Sequence, residues 1–321
     1  MAIRADEIID RRRLRRKLTF WRIAAIAIAA LALGAAATWL YGDEIAGTGV
    51  DHIAKVKIQG TITEDDELLE RLGRIAKSTS VKGVILSIDS PGGTTVGGEA
   101  IFEAVRLVAK DKPVVAQVGT LAASAGYMIA SATDHIVARQ SSIVGSIGVL
   151  VQFPDVTGLM EKVGIKLEEV KSSPLKAEPS PFNPTTDEER AMIRNMILDS
   201  YDWFIGLVEE RRPLSHEQVV ALADGSVFTG RQALANKLVD SLGGEQEAID
   251  WLATKGVDAK LKVIEWERKK STGSYLFASA MAKALGMPDY GSTFLKELGA
   301  DRIFLDGMLA VWHPQKAILA D

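Results

Sequence analysis

Between Ile53 and Ala138 short apolar runs alternate with longer segments of helical period, and that alternation leaves few architectures open. Ile53-Ala-Lys-Val-Lys-Ile58 repeats with a period of two, as a half-buried strand does. Val84-Ile-Leu-Ser-Ile-Asp89 and Pro113-Val-Val-Ala-Gln-Val118 are almost continuously apolar, and His135-Ile-Val-Ala138 is a fourth run. Between them, Asp65 to Lys77 puts Leu68, Leu69, Leu72, Ile75 and Ala76 on one side of a helix, and Glu99 to Lys110 reads as another. Strands and helices in this order imply an α/β fold with a parallel sheet under helical covers. Ligands on such sheets sit beyond the carboxyl ends of the strands. Two segments fall there. Ser90-Pro-Gly-Gly93 closes the second strand, and Ser124 follows the third, which is expected to stop at Gly119.

Ser124 lies in Gly119-Thr-Leu-Ala-Ala-Ser-Ala-Gly-Tyr127, where small neighbours allow a tight turn that exposes a hydroxyl at a helix start. The plainer reading is an N-cap serine. Gly92 and Gly93 can point amides at an anion, or can simply make a strand-to-helix turn. Lys176 ends Lys171-Ser-Ser-Pro-Leu-Lys176, and Pro174, Pro179, Pro181 and Pro184 predict an extended, non-helical segment around it. An ordinary lysine is solvated and, with a pKa of about 10.4, almost wholly protonated at pH 7. Serving as a base requires an apolar covering. Taken together, these residues supply a hydroxyl nucleophile, an amine base and backbone donors for an oxyanion. That is the minimum apparatus for amide hydrolysis without histidine or metal.

The other chemistries find little here. The chain has 321 residues, no cysteine and four scattered histidines without metal-ligand spacing, so neither a metal nor another cofactor is expected. His135 reads as a core residue and His216 as a solvated one; neither suits a Ser-His-Asp arrangement. Asp89 and Asp134 border strands and read as structural. The net charge is −4, yet residues 1–22 hold eight Lys/Arg against three Asp/Glu, so the body is acidic. No nucleic-acid partner is expected of such a body.

The basic arm leads into Ile23–Tyr41, an uncharged run just long enough to span a bilayer, with Trp21, Trp39 and Tyr41 at its ends. Basic residues ahead of it favour a cytoplasmic N-terminus and a catalytic body outside the cytoplasm. A cleaved secretory signal is the competing reading. Further on, Thr186-Asp-Glu-Glu189 is a capping-box pattern opening a helix that carries Ile193, Ile197, Phe204 and Leu207 on one face and ends near Arg211-Arg-Pro213. Asp224 to Leu234 reads as a turn, a short strand and a helix. Later still come a strand near Lys262–Glu267, a helix at Tyr275–Leu285 and an apolar stretch at Met308–Trp312.

With these residues laid out, the chain closely resembles the bacterial signal peptide peptidase A (protease IV) family in its short form, over about Ile53 to Gly244. Ser90-Pro-Gly-Gly93, Ala122-Ala-Ser-Ala-Gly-Tyr127, Val144-Gly-Ser-Ile-Gly-Val149, Lys171–Lys176 and Asp224-Gly-Ser-Val-Phe-Thr-Gly-Arg231 carry the resemblance. It implies a ClpP/crotonase-like fold of repeated ββα units, preceded by one transmembrane helix. It implies Ser124 as nucleophile, Lys176 as general base and acid, and Ser146 as the serine that orients the lysine. One of Gly92 and Gly93, with the Ala125 amide, would form the oxyanion hole. Protomers of the family form a ring or dome in which the lysine of one meets the serine of the next. Ser173 stands where many members have glycine, as does Ala125; neither change removes a group the mechanism needs.

The expected organisation is a basic cytoplasmic arm over 1–20, an anchor over 21–42, a linker over 43–52, a peptidase domain over 53–255 and an extension over 256–321 packed on or between protomers. The expected activity is a membrane-anchored Ser–Lys endopeptidase of the inner membrane, acting on remnant signal peptides and similar extended apolar segments. A related protease of membrane-protein quality control, a crotonase-type acyl-CoA enzyme and an inactive scaffold are the alternatives.

Overall fold

The computed structural model describes residues 17–31, 34 and 49–267, together with the backbone of 309–311. The chain divides into two units, Met1–Asp51 and His52–Asp321. In the first, residues 17–31 form helix α1. Among the described residues no helix is long and apolar enough to cross a membrane. The span expected over 21–42 continues through residues 32–33 and 35–42, which lie outside the described residues, as do most of the basic arm and the helix expected at Tyr275–Leu285.

The second unit is α/β, with a mostly parallel sheet. β1 (His52–Gln59) leads through α2 (Asp66–Lys77) to β2 (Val81–Ser90), and β2 through α3 (Thr95–Val108) to β4 (Val114–Ala123). β5 (His135–Ala138), β6 (Ile143–Gly145), β7 (Val227–Thr229), β8 (Ser241–Leu242) and β9 (Val263–Glu265) complete eight strands. Their order is β7-β6-β4-β2-β1-β9, with β5 on β4 and β8 on β5. Among the described residues of this sheet, every pair is parallel except β6 with β7. A separate ribbon pairs β3 (Gly92–Thr94) with β10 (Leu309–Val311).

The helices form where local chemistry starts them and the sheet rewards one face. Asp65 caps α2, its carboxylate accepting from the Leu68 N–H at 3.1 Å. Asp66 and Glu67 in the first turn and Arg74 and Lys77 in the last complement the helix dipole. Leu68, Leu72 and Ile75 are buried on the sheet, each contributing roughly 2 kcal/mol. Helix α3 begins at Thr95, earlier than the expected Glu99. The added first turn contains Gly97 and Gly98, and the packing requires both. A Cβ on Gly97 would stand 2.6 Å from the Thr63 carbonyl carbon, and one on Gly98 3.0 Å from the Met128 sulfur. Alternation along the strands splits the core between two faces of the sheet. Val84, Leu86 and Ile88 face the larger cluster, whereas Ile85 joins Ile53, Val115, Val137 and Leu252 on the other side.

The third strand does not stop at Gly119 but runs to Ala123. It pairs β2 in simple register up to Ile88↔Val118 and resumes at Ser90↔Ala122. Gly119, Thr120 and Leu121 therefore bulge opposite Asp89, whose carboxylate accepts from the Leu121 N–H at 3.1 Å. Beyond the bulge the other edge of β4 exchanges partners, from β5 to β6. The strand thereby delivers the 122–124 segment to a new edge of the sheet.

Two short helices follow, α4 (Ala125–Ser131) and α5 (Thr157–Val163). The capping box forms as expected and opens α6 (Asp187–Arg211), with Thr186 and Glu189 exchanging bonds at 3.3 Å. Glu189 is buried in the first turn, and the apolar packing comes from the later part of the helix, through Phe204, Ile205 and Val208. Just after it, Arg212 forms a fork with the Asp240 carboxylate at 2.9 and 2.8 Å and donates to the Lys237 carbonyl at 2.9 Å. Arg212 is only 8% exposed. Truncating one partner of a buried pair leaves the other unpaired. Arg212→Ala is therefore expected to destabilise the unit by roughly 3 kcal/mol, read as a lowered thermal unfolding midpoint.

Candidate active site

Ser124 stands where β4 turns into α4 (Ala125–Ser131). Its backbone is at φ 56°, ψ −120°, a conformation that costs a non-glycine residue on the order of 1–3 kcal/mol. The N–H donates to the Gly145 carbonyl at 2.8 Å. That bond continues the β4–β6 ladder, whose last pair is Ala123↔Gly145. The N-cap reading does not hold, because the Ser124 side chain makes no capping hydrogen bond. The hydroxyl was expected to be exposed. In the single chain the residue is instead 1% exposed, the fold closing over the turn. Ala125 opens α4, so its N–H is one of those a helix leaves without an internal acceptor.

Glycine 126 lets this helix come close. A Cβ there would stand 3.0 Å from the Ser90 carbonyl oxygen. Ser90 also organises the glycine turn. Its hydroxyl donates to the Gly60 carbonyl at 2.6 Å and accepts the Gly92 N–H at 3.1 Å. The Gly92 amide is therefore engaged. Gly93 differs. Ile62 donates to the Gly92 carbonyl and Thr94 donates to the Ile62 carbonyl, so by strand alternation the Gly93 N–H and C=O face the opposite edge of β3. A Cβ on Gly93 would lie 1.7 Å from the Ile62 oxygen, which only glycine avoids.

Ser146 is placed beside this turn by the same ladder. It follows Gly145 as Ser124 follows Ala123, so residues 22 apart in sequence meet at neighbouring strand ends, about 4.8 Å apart in strand spacing. Ser146 too has a positive φ, 52°, and its N–H donates to the Ser226 carbonyl at 2.7 Å.

Lys176 is not joined to them within one chain. It is exposed, and no hydrogen bond among the described residues links its amine to Ser124 or Ser146. The segment is non-helical, as expected, but turned rather than extended: the Lys176 N–H donates to the Ser173 carbonyl at 3.1 Å. Lys171 draws the two arms of the turn together by pairing with both Glu169 and Glu178.

The histidines serve the frame. His135 is half-buried rather than core, stacked on Trp251 with ring centroids 5.0 Å apart and hydrogen-bonded to the Ser241 hydroxyl at 2.8 Å. His216 is exposed beside Glu209, and His52 meets the Trp266 indole N–H at 3.1 Å. Asp134 accepts from the Val114 N–H at 3.1 Å. Among the described residues no three His, Cys, Asp or Glu side chains are grouped to hold a metal ion.

Burial holds the His135 imidazole below the ordinary histidine range, with Asp240 opposing and Arg212 and Lys255 reinforcing. The unfolded chain, with its histidine near 6.5, therefore takes up the proton first as pH falls. The contribution of a neutral His135 is complete above about pH 6.5 and is lost below it. Between pH 7 and pH 5 the unfolding midpoint should fall further in the native protein than in His135→Gln.

Comparison with known proteins supplies the family. The profile described as peptidase family S49 matches residues 106–260, and that described as Clp protease matches residues 52–144. A provisionally named protease of Methanocaldococcus jannaschii is 36% identical over 224 residues, covering 68% of this chain and 72% of the relative. A provisionally named protease of Synechocystis is 35% identical over 246 residues, 74% of this chain and 88% of the relative. A protein of Enterococcus faecium, provisionally named signal peptide peptidase SppA, is 31% identical over 276 residues, 76% and 80% of the two chains. The chain belongs to peptidase family S49.

It is a serine peptidase. In this S49 peptidase, reading the sequence left the part of Ser90 unnoticed. Its signal lay in the Ser-Pro-Gly-Gly run, where a hydroxyl two residues before a glycine amide can bridge the turn. Ile62, which meets β3 as an isolated bridge to Gly93, carries no comparable signal.

Proposed function

We propose that this S49 peptidase is a membrane-anchored endopeptidase in which Ser124 attacks the peptide carbonyl and Lys176 of a neighbouring protomer is the general base. The observation that carries this reading is the Ser124 turn. A serine held at φ 56° between a strand end and a helix start, with no capping duty, has a strained backbone that local structure does not call for.

Ser124 loses its proton to the neutral Lys176 amine as its oxygen bonds to the substrate carbonyl carbon. The resulting oxyanion takes hydrogen bonds from the Gly93 and Ala125 N–H groups, the Gly92 amide being engaged by Ser90. The Lys176 ammonium then protonates the departing amine, and the acyl bond passes to Ser124. Water, deprotonated by the same amine, releases the acid and restores the serine. Ser146 holds the amine in place.

Exposure of apolar side chains supports sharing of the site between protomers. Leu159, Val163, Ile165, Val170, Leu175 and Phe182 are all exposed around the lysine turn. A ring of protomers would cover this surface and desolvate the amine, favouring its neutral form. In α1 the exposed Phe20, Trp21, Ile23, Ile26, Ile28 and Leu31 support a lipid-facing helix, and hence an anchor in the inner membrane with the catalytic body outside the cytoplasm. The SppA name of the E. faecium relative supports signal-peptide remnants and similar extended apolar peptides as substrates.

Subunit mixing tests the shared site. Ser124→Ala and Lys176→Ala oligomers should each be inactive. Mixed in equal amounts, they should regain about a quarter of native activity, since random assembly places an intact serine beside an intact lysine at one junction in four. Mixed oligomers that assemble without regaining activity would exclude catalysis across the interface.

A further inference from the structure

Two lysines occupy the turn that carries the proposed base, and they are held differently. Lys171 pairs with both Glu169 and Glu178. Hydrogen bonds to Glu169, and then to Glu178, raise the pKa of Lys171 above the ordinary lysine value. It therefore keeps its proton at neutral pH and is not suited to serve as a base. The bond from Lys171 in turn holds the Glu178 carboxyl below its ordinary range, so the pair stays charged. The Glu178 side chain is 5% exposed, and its other oxygen accepts the Ser180 N–H at 2.6 Å. Pro181, one residue on, accepts the Val156 N–H at 2.9 Å, which ties this arm to the start of α5. Lys176 stands between the two ends of the clasp, five residues after Lys171 and two before Glu178. Ala177, next to it, has φ 65°. A non-glycine residue persists there only where its surroundings fix it.

We propose that Glu178 is a positioning residue for catalysis: clasped to Lys171, it fixes the arms of this turn and so the direction from which the Lys176 amine reaches Ser124. This rests on the reading of Lys176 as the base given above. A lysine amine rides on a flexible four-carbon stem, so its aim depends on the backbone beneath it. Among the described residues of one chain no hydrogen bond joins that amine to Ser124 or Ser146. The shape of the turn is therefore what each protomer brings to its placement. Misplacing a reacting group by about 1 Å costs up to roughly 10²-fold in rate. The two lysines thus divide the work. One is committed to two carboxylates and shapes the turn; the other exchanges protons.

Steady-state kinetics on the assembled full-length protein test this. Glu178→Gln keeps the shape and an acceptor for the Ser180 N–H but removes the charge that Lys171 meets. Lys171→Met keeps the stem and removes the ammonium. Each should lower kcat for an extended apolar peptide by about ten- to a hundred-fold and leave KM unchanged. Lys171→Arg, which can still pair with both carboxylates, should retain native kcat. The double variant Lys171→Met/Glu178→Gln should lose no more than either single one, since both break the same clasp. Native kcat in both single variants would overturn the proposal. So would a loss confined to KM, a Lys171→Arg protein as slow as Lys171→Met, or additive losses in the double variant. Dissociation of the oligomer in both single variants would overturn it too, because the clasp would then serve the interface rather than the amine. Lys176→Ala, assayed alongside, separates the two readings. Native turnover there would remove the base itself, whereas loss there beside native kcat in Glu178→Gln and Lys171→Met would remove the clasp alone.

Discussion

Ser124→Ala is expected to lower hydrolysis of an extended apolar peptide by at least about 10⁴-fold, with the unfolding midpoint and the oligomeric state unchanged. The substitution deletes one oxygen from a side chain that caps nothing. Alanine also keeps the Ser124 N–H that donates to the Gly145 carbonyl, so the β4–β6 ladder survives. The effect should therefore fall on kcat. Lys176→Ala should lose a similar factor, and Lys176→Arg should not rescue it, because a guanidinium does not give up its proton in this range and cannot act as a base. A Lys176→Arg protein with substantial turnover would show that the lysine contributes positive charge rather than proton transfer. Persistent hydrolysis by Ser124→Ala at native rates would sink the nucleophile assignment outright.

Gly93→Ala is the second large effect. The added methyl would stand 1.7 Å from the Ile62 carbonyl oxygen, so β3 must move away from that bridge. The Gly93 N–H moves with it. Under the proposed mechanism this displaces one oxyanion donor, which costs about 10²–10³-fold in kcat, and the loss should appear in kcat more than in KM. Gly98→Ala is the useful contrast. Its methyl would meet the far end of a flexible methionine, the Met128 sulfur at 3.0 Å, and the Ala125 methyl at 3.1 Å. It crowds the α3–α4 contact but leaves β3 in place, so it should affect stability more than turnover. Equal kcat losses in the two variants, with equal loss of fold, would mean that Gly93 is needed only for packing.

Much of this was legible in the sequence because it is written in local chemistry. Asp65 and Leu68 start α2, and Thr186 and Glu189 start α6, through bonds spanning three residues. The apolar runs of β1, β2, β4 and β5 reflect burial between two layers. The placing of Ser124 and the glycine turn at strand ends followed from the same alternation. The errors arose where distant packing overrides local signals. Gly119 looked like a strand end, but Asp89 on the neighbouring strand holds the bulge and β4 continues. The helix expected from Glu99 begins at Thr95, because Gly97 and Gly98 permit its close approach to Thr63 and Met128. The lysine segment looked extended from its prolines, but ion pairs of Lys171 with Glu169 and Glu178 fold it into a turn.

By itself, the sequence determined which groups are present: a hydroxyl, an amine and a pair of glycines in an acidic α/β body without cysteine. Only the tertiary structure decided which of those groups can act together. It engages the Gly92 amide with Ser90, turns the Gly93 amide to the edge of β3 away from Ile62, and brings Ser146 beside Ser124 through pairing of two strand ends. The reason is that hydrogen-bond direction depends on register between strands, and register is set by contacts between residues far apart in the chain.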